Sequence, residues 1–125
     1  MFHAFDEIDL GGLARMPLED LDRLPFGVVG LDSEKLVVVY NATEAGMAGL
    51  ARDSVIGLPF FDAVAQCMNN FMVAQRFEDA AAAAERLDAE LDYVFTLRMR
   101  PSKVRLRLVA TPGANLRYVL VNRRL

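Results

Sequence analysis

The sequence predicts an α+β domain with a five-stranded antiparallel sheet, and three observations predict it. Two β-branched runs near the start are separated by only four residues, the last third alternates apolar and polar residues with period two, and short helical patterns plus one longer one lie between. The 125-residue length fits a single domain, 1–125. A chain of this size hides roughly two-thirds of its unfolded surface, enough for a core without disulfide or metal staples.

Residues 1–24 are acidic, with Asp6, Glu7, Asp9, Glu19, Asp20 and Asp22 against Arg15 and Arg23, and are broken by Gly11-Gly12 and Pro17. The apolar residues Phe2, Phe5, Ile8, Leu10, Leu13, Met16, Leu18 and Leu21 point to short helical turns lying on something larger, an N-terminal cap (1–24) over a core of residues 25–125. Phe26-Gly27-Val28-Val29-Gly30-Leu31 and Leu36-Val37-Val38-Val39-Tyr40, joined by Asp32-Ser33-Glu34-Lys35, read as a hairpin with a four-residue turn.

Residues 41–50 mix good helix formers with Gly46 and Gly49, which predicts a short, irregular helix. Asp53-Ser54-Val55-Ile56-Gly57 and Phe60-Phe61-Asp62-Ala63-Val64-Ala65 read as single helical turns, the first stopped by glycine. Short turns of this kind make pocket walls. Residues 70–87, with Phe71, Val73, Phe77 and an alanine run, predict the one long helix.

After Asp88 the chain alternates: Tyr93, Phe95, Leu97 and Met99 fall on one strand face and Val94, Thr96, Arg98 and Arg100 on the other. Pro101-Ser102 turns into a strand that sets Lys103, Arg105 and Arg107 against Val104, Leu106 and Leu108; Thr111-Pro112-Gly113-Ala114-Asn115 turns again into a last strand, 116–121.

Charge and composition narrow the function. Net charge is −3, but residues 1–92 carry all 17 acids and six of the bases, while 93–125 carry eight bases and no acid. The acidic and basic parts are expected to attract each other. Lys103, Arg105 and Arg107, about 7 Å apart in a row, invite a nucleic-acid reading; neutralisation by the acidic cap is the expectation instead, with no nucleic-acid partner. One cysteine, Cys67, forbids an internal disulfide, and one histidine, His3, near the terminus removes most metal, haem and Cys-His chemistry. An enzyme is therefore not expected. No run of 18 apolar residues and no signal pattern appears, so the expectation is a cytoplasmic protein that does not enter a membrane.

The element order is that of a PAS domain, and specific residues narrow the match. Leu24-Pro25-Phe26-Gly27-Val28-Val29, Tyr40-Asn41-Ala42-Thr43-Glu44, Val55-Ile56-Gly57-Leu58-Pro59-Phe60-Phe61, the lone Cys67 and Tyr93-Val94-Phe95 resemble the photoactive yellow protein (xanthopsin) family over nearly the whole chain. The resemblance implies a PAS fold with flanking short helices, one long helix and an N-terminal cap. It also implies a 4-hydroxycinnamic acid (p-coumaric acid) chromophore joined to Cys67 as a thioester, with Tyr40 and Glu44 holding its phenolate oxygen. The family pocket maps onto Ala48, Leu50, Tyr93, Phe95 and Met99. Ala48 stands where the best-known members have a threonine supporting the tyrosine, Leu50 where they have an arginine lid, and Gln66 where a proline precedes the cysteine; Arg52 lies near enough to replace the lid. These departures predict altered spectral tuning and photocycle rate.

The chemistry required of these residues follows from their pKa values. A phenol titrates near pH ~10 in water, so keeping it ionised inside a protein needs hydrogen bonds aimed at its oxygen. Tyr40 can donate one, and Glu44 can donate another if burial keeps it protonated. Four residues apart, the two can meet through a helical turn starting at Asn41. Blue light is then expected to isomerise the chromophore, Glu44 to give up its proton, and the buried carboxylate, at a cost of several kcal/mol, to loosen the cap, held by an electrostatic latch of cap acids on the Lys103, Arg105 and Arg107 face. The resemblance implies an unidentified downstream signalling partner, with the chain itself a monomer or weak dimer. The alternative reading is a PAS module that binds a ligand non-covalently or merely dimerises, and it requires nothing of Cys67. The flavin-type Asn-Cys-Arg-Phe signature is not matched by Gln66-Cys67-Met68.

Overall fold

In the computed structural model, which describes residues 5–95 and 101–123, one antiparallel sheet runs in the order β2-β1-β5-β4-β3. Its strands are β1 (Gly27–Leu31), β2 (Val37–Tyr40), β3 (Leu87–Phe95), β4 (Ser102–Ala110) and β5 (Arg117–Asn122). The early hairpin and the later three-stranded meander meet through β1 and β5, with Val29 opposite Val119. Because side chains alternate across a strand, the sheet has two apolar faces. One packs Val29, Leu31, Val104, Leu106, Leu108, Val119 and Val121 against the helical segments. The other packs Val28, Val109, Tyr118 and Leu120 against Phe5, Ile8, Leu13, Leu21 and Leu24 of the N-terminal segment.

That segment forms α1 (Leu10–Arg15) and α2 (Leu18–Leu21). Asp9 caps α1, its carboxylate accepting from the Gly12 N–H at 2.7 Å, and Pro17 supplies the extended residue before α2. Residues 41–50 fold more regularly than their glycines predict: α3 (Ala42–Ala48) is capped by the Asn41 side chain and ends at Gly49 with φ 70°, the left-handed conformation glycine adopts without strain. α4 (Arg52–Val55) is the expected single turn. A π turn at Phe60–Val64 and a 3-10 turn at Gln66–Met68 follow.

The long helix expected over 70–87 is shorter: α5 covers Ala74–Ala82. Asn70 stops it from starting earlier, because its side-chain oxygen takes the N–H groups of Met72 and Val73, the local competition through which Asn favours turns over helix interiors. At the other end Glu85 N–H bonds Ala80 C=O and Ala84 N–H bonds Ala81 C=O, with Ala84 at φ 52°. This is the Schellman closure, built on alanine where glycine is usual. Leu87, expected at the helix end, is instead the first and buried residue of β3.

The basic row of β4 also differs from expectation. Arg107 is only 5% exposed: its guanidinium pairs with both Asp88 oxygens at 2.9 Å and donates to the Phe5 and Ile8 carbonyls. Arg105 pairs with Asp92. The N-terminal segment does lie on this face, yet it is held through backbone carbonyls and apolar packing, while the carboxylates paired with the arginines come from β3. The latch expected from cap acids is therefore not built of direct ion pairs to these two arginines: their partners are Asp88 and Asp92, and Asp6 of the cap acts on Arg107 only as a nearby charge. Among the described residues no helix is long and apolar enough to cross a membrane, and no cluster of His, Cys, Asp and Glu is arranged to hold a metal.

Candidate functional site

Glu44 sits in the first turn of α3, 6% exposed, against β1. Gly27 makes this possible: a Cβ there would stand 2.1 Å from the Glu44 Oε1. A strand glycine marks such close approaches. The carboxylate meets Arg123 in a two-pronged pair, with Nη1 to Oε1 at 2.6 Å and Nη2 to Oε2 at 3.1 Å. Burial pushes the Glu44 pKa above the ordinary carboxylate value, and the Arg123 guanidinium pulls it back in part. Tyr40 ends β2 and is 1% exposed; burial, and then the Glu44 charge, raises its hydroxyl above the usual phenol range while Arg123 opposes them. Tyr40 is thus a hydroxyl that keeps its proton.

From this end the site runs to the cysteine through packed groups. The Arg123 guanidinium lies 5.4 Å from the Phe95 ring centre, a cation–π contact. Phe95 and Tyr93 pack edge to face at 6.0 Å. The Tyr93 hydroxyl donates to the Cys67 carbonyl at 2.5 Å, and Asn70 Nδ2 donates to the same carbonyl at 3.2 Å. Cys67 itself is half-buried on the 3-10 turn and packs, with Leu50 and Tyr93, against the core that contains Tyr40 and Phe95. The structure therefore brings Tyr40, Glu44, Leu50, Cys67, Tyr93 and Phe95 to one side of the sheet. Ala48 is half-buried at the last position of α3, outside that core. Met99 lies outside the described residues.

Arg52, the residue expected near the lid position, is engaged with β2 and the cap. Its Nε donates to the Tyr40 carbonyl at 2.8 Å and its Nη2 meets Asp22 of the N-terminal segment at 2.5 Å, so it ties β2 to the cap. The central tie is Asn41, fully buried. Its side-chain oxygen accepts from Val28 N–H at 2.9 Å and Glu44 N–H at 3.0 Å, and its nitrogen donates to Leu21 C=O at 2.8 Å and Phe26 C=O at 3.1 Å. Thr43 adds a hydrogen bond to Leu24 C=O at 2.6 Å. The helix that carries Glu44 is thereby bonded directly to the cap on the opposite side of the sheet.

Residue-type reasoning missed Gly27 and Arg123 as site residues, yet both had signals. A glycine inside a β-branched run is one. The other is the two-residue period of β5, which, continued one residue past the strand's end at Asn122, runs from Val119 and Val121 on the helical-core face to Arg123.

No family model matches the chain. Individual proteins do. The photoactive yellow protein of Halochromatium salexigens is 38% identical over 103 residues, 82% of this chain and 81% of that protein. The photoactive yellow protein of Rhodothalassium salexigens is 30% identical over 118 residues, 94% and 93% of the two chains. Among solved structures, the photoactive yellow protein domain of the sensor histidine kinase Ppr from Rhodospirillum centenum superposes with a TM-score of 0.82 at 31% identity, covering 90% of this chain and 97% of that one. With its five-stranded PAS-type sheet and this similarity along nearly its full length, the chain belongs to the photoactive yellow protein family.

Proposed function

We propose that the protein is a blue-light receptor whose chromophore is a 4-hydroxycinnamoyl group in thioester linkage to Cys67. The observation that carries this reading is the continuous wall from Glu44 through Arg123, Phe95 and Tyr93 to Cys67, on the residues through which the sequence resembles the family. The residues fit the group: a half-buried thiol at one end, aromatic rings between, and at the other end a protonated phenol and a carboxyl whose pKa burial raises. When bound, the group supplies visible absorption and isomerisation about its double bond.

The chain's own residues do the rest. Tyr40 donates a hydrogen bond, and Glu44, kept protonated by burial, donates a second and holds the transferable proton. Once that proton has left, Arg123 faces a carboxylate, so the charge is not the lone one expected from sequence; the signal comes from the change in what α3 bonds to. Asn41 and Thr43 carry any shift of α3 to Leu21, Leu24 and Phe26, and the cap is the surface offered to a downstream signalling partner.

The test is an absorption spectrum and intact mass of the purified protein after incubation with an activated 4-hydroxycinnamic acid, with Cys67→Ala in parallel. A single added group and a visible band, both dependent on Cys67, are expected. No band in either protein would overturn the reading and leave the alternative, a PAS module that binds a ligand non-covalently or merely dimerises.

A further inference from the structure

Resting on the photoreceptor reading, we propose that Arg123 is the positioning residue for proton donation: its guanidinium stands ready for the carboxylate that Glu44 becomes. The geometry is specific. Both guanidinium nitrogens address both carboxylate oxygens, the fork-to-fork match that distinguishes arginine from lysine. Both side chains are sequestered, 13% and 8% exposed, so solvent screens the pair little. The Phe95 ring holds the guanidinium from a third side, and Gly27 leaves the space that lets the carboxylate reach it. Of the titratable groups around Glu44, Tyr40 on β2 is neutral and Arg123, immediately after β5, is the one cation acting on it among the described residues.

The charge balance then closes on both sides of the step. Before it, a phenolate, a neutral Glu44 and the Arg123 cation sum to zero. As the Glu44 O–H bond breaks and the phenol O–H bond forms, the negative charge moves onto the carboxylate already aligned with Arg123, and the sum is still zero. Arg123 favours the forward transfer and slows the return of the proton.

Two measurements test this. In the protein without chromophore, the carboxyl carbon of Glu44 is followed by NMR across pH, its resonance assigned with Glu44→Gln. Arg123→Gln is expected to make Glu44 a weaker acid by roughly 10- to 1,000-fold, the usual effect of losing an adjacent opposite charge; Arg123→Lys, which keeps the charge without the fork, is expected to recover part of it and guards against a folding artefact. An unchanged titration in both variants overturns the pairing. In the reconstituted protein, Arg123→Gln is expected to shorten the life of the bleached state by about tenfold or more, the direction set by a carboxylate that recaptures its proton more strongly. An unchanged lifetime with a shifted titration overturns the role in proton donation while leaving the pair intact. If the unsubstituted protein takes up no chromophore, the photoreceptor reading fails and this role with it, whereas the titration still decides the pairing.

Discussion

Substituting Asn41 by alanine removes four buried hydrogen bonds at once. The amides of Val28 and Glu44 lose their acceptor, and a buried N–H left without a partner costs about 1–3 kcal/mol. The Leu21 carbonyl keeps the Leu24 N–H and adds little. The total expected is about 2–5 kcal/mol, a large share of the 5–15 kcal/mol of an ordinary domain. Urea unfolding followed by far-UV circular dichroism reads the loss as a lower midpoint at constant slope. Asn41→Ser, which can still cap α3, is expected to recover about 1 kcal/mol. Since one of the four bonds reaches Leu21 in the cap, protease cleavage within residues 5–24 should rise in Asn41→Ala under conditions where the core stays intact. A loss below about 1 kcal/mol, or an unchanged cleavage pattern, would refute the claim that Asn41 joins the Glu44 helix to the cap.

Arg107→Met is expected to free the N-terminal segment, because the Phe5 and Ile8 carbonyls lose their donor; hydrogen exchange of residues 5–24 measures it, and high salt should reproduce little of it since the arginine is buried. The pair with Arg107 also holds the Asp88 carboxyl below the usual range. Its contribution is therefore complete above the unfolded carboxylate value, near pH ~3.9, and is lost as pH falls through the lower folded value. Acid unfolding curves should show that loss in the parent protein and less of it in Arg107→Met. Ala84→Gly should stabilise by about 0.5–1 kcal/mol, since Ala84 sits at φ 52° where a Cβ costs about 1–2 kcal/mol and glycine gives part of that back in unfolded-chain entropy; a lower melting temperature in the glycine variant would argue against the Schellman closure.

Strands, hairpin and single helical turns were legible because each rests on local period and turn chemistry, as in Asp32-Ser33-Glu34-Lys35 before β2. The length of α5 was not, because the alanine run has high propensity through residue 84 and only Asn70's side chain and the Ala84 backbone decide where the helix begins and ends. Tyr40, Glu44 and Cys67 could be selected through the family resemblance, and the structure adds how they are joined. That the acidic N-terminal segment would cover Arg107 was legible from the charge distribution, but its partners were not: alternation assigns a face and not the atoms that meet it, and these are Asp88 of β3 and the Phe5 and Ile8 carbonyls about a hundred residues earlier in the chain. The Glu44–Arg123 pair spans 79 residues, beyond any local window, and Arg123 lies past the last strand as read from the sequence, 116–121.

The proposed role of Glu44 as proton donor is tested most directly by light-minus-dark infrared difference spectroscopy of the reconstituted protein. The expected result is a protonated-carboxyl band in the dark that disappears as the visible band bleaches, returns with dark recovery, and is missing in Glu44→Gln. A carboxyl band that persists unchanged through the bleached state, or one unaffected by Glu44→Gln, would contradict it.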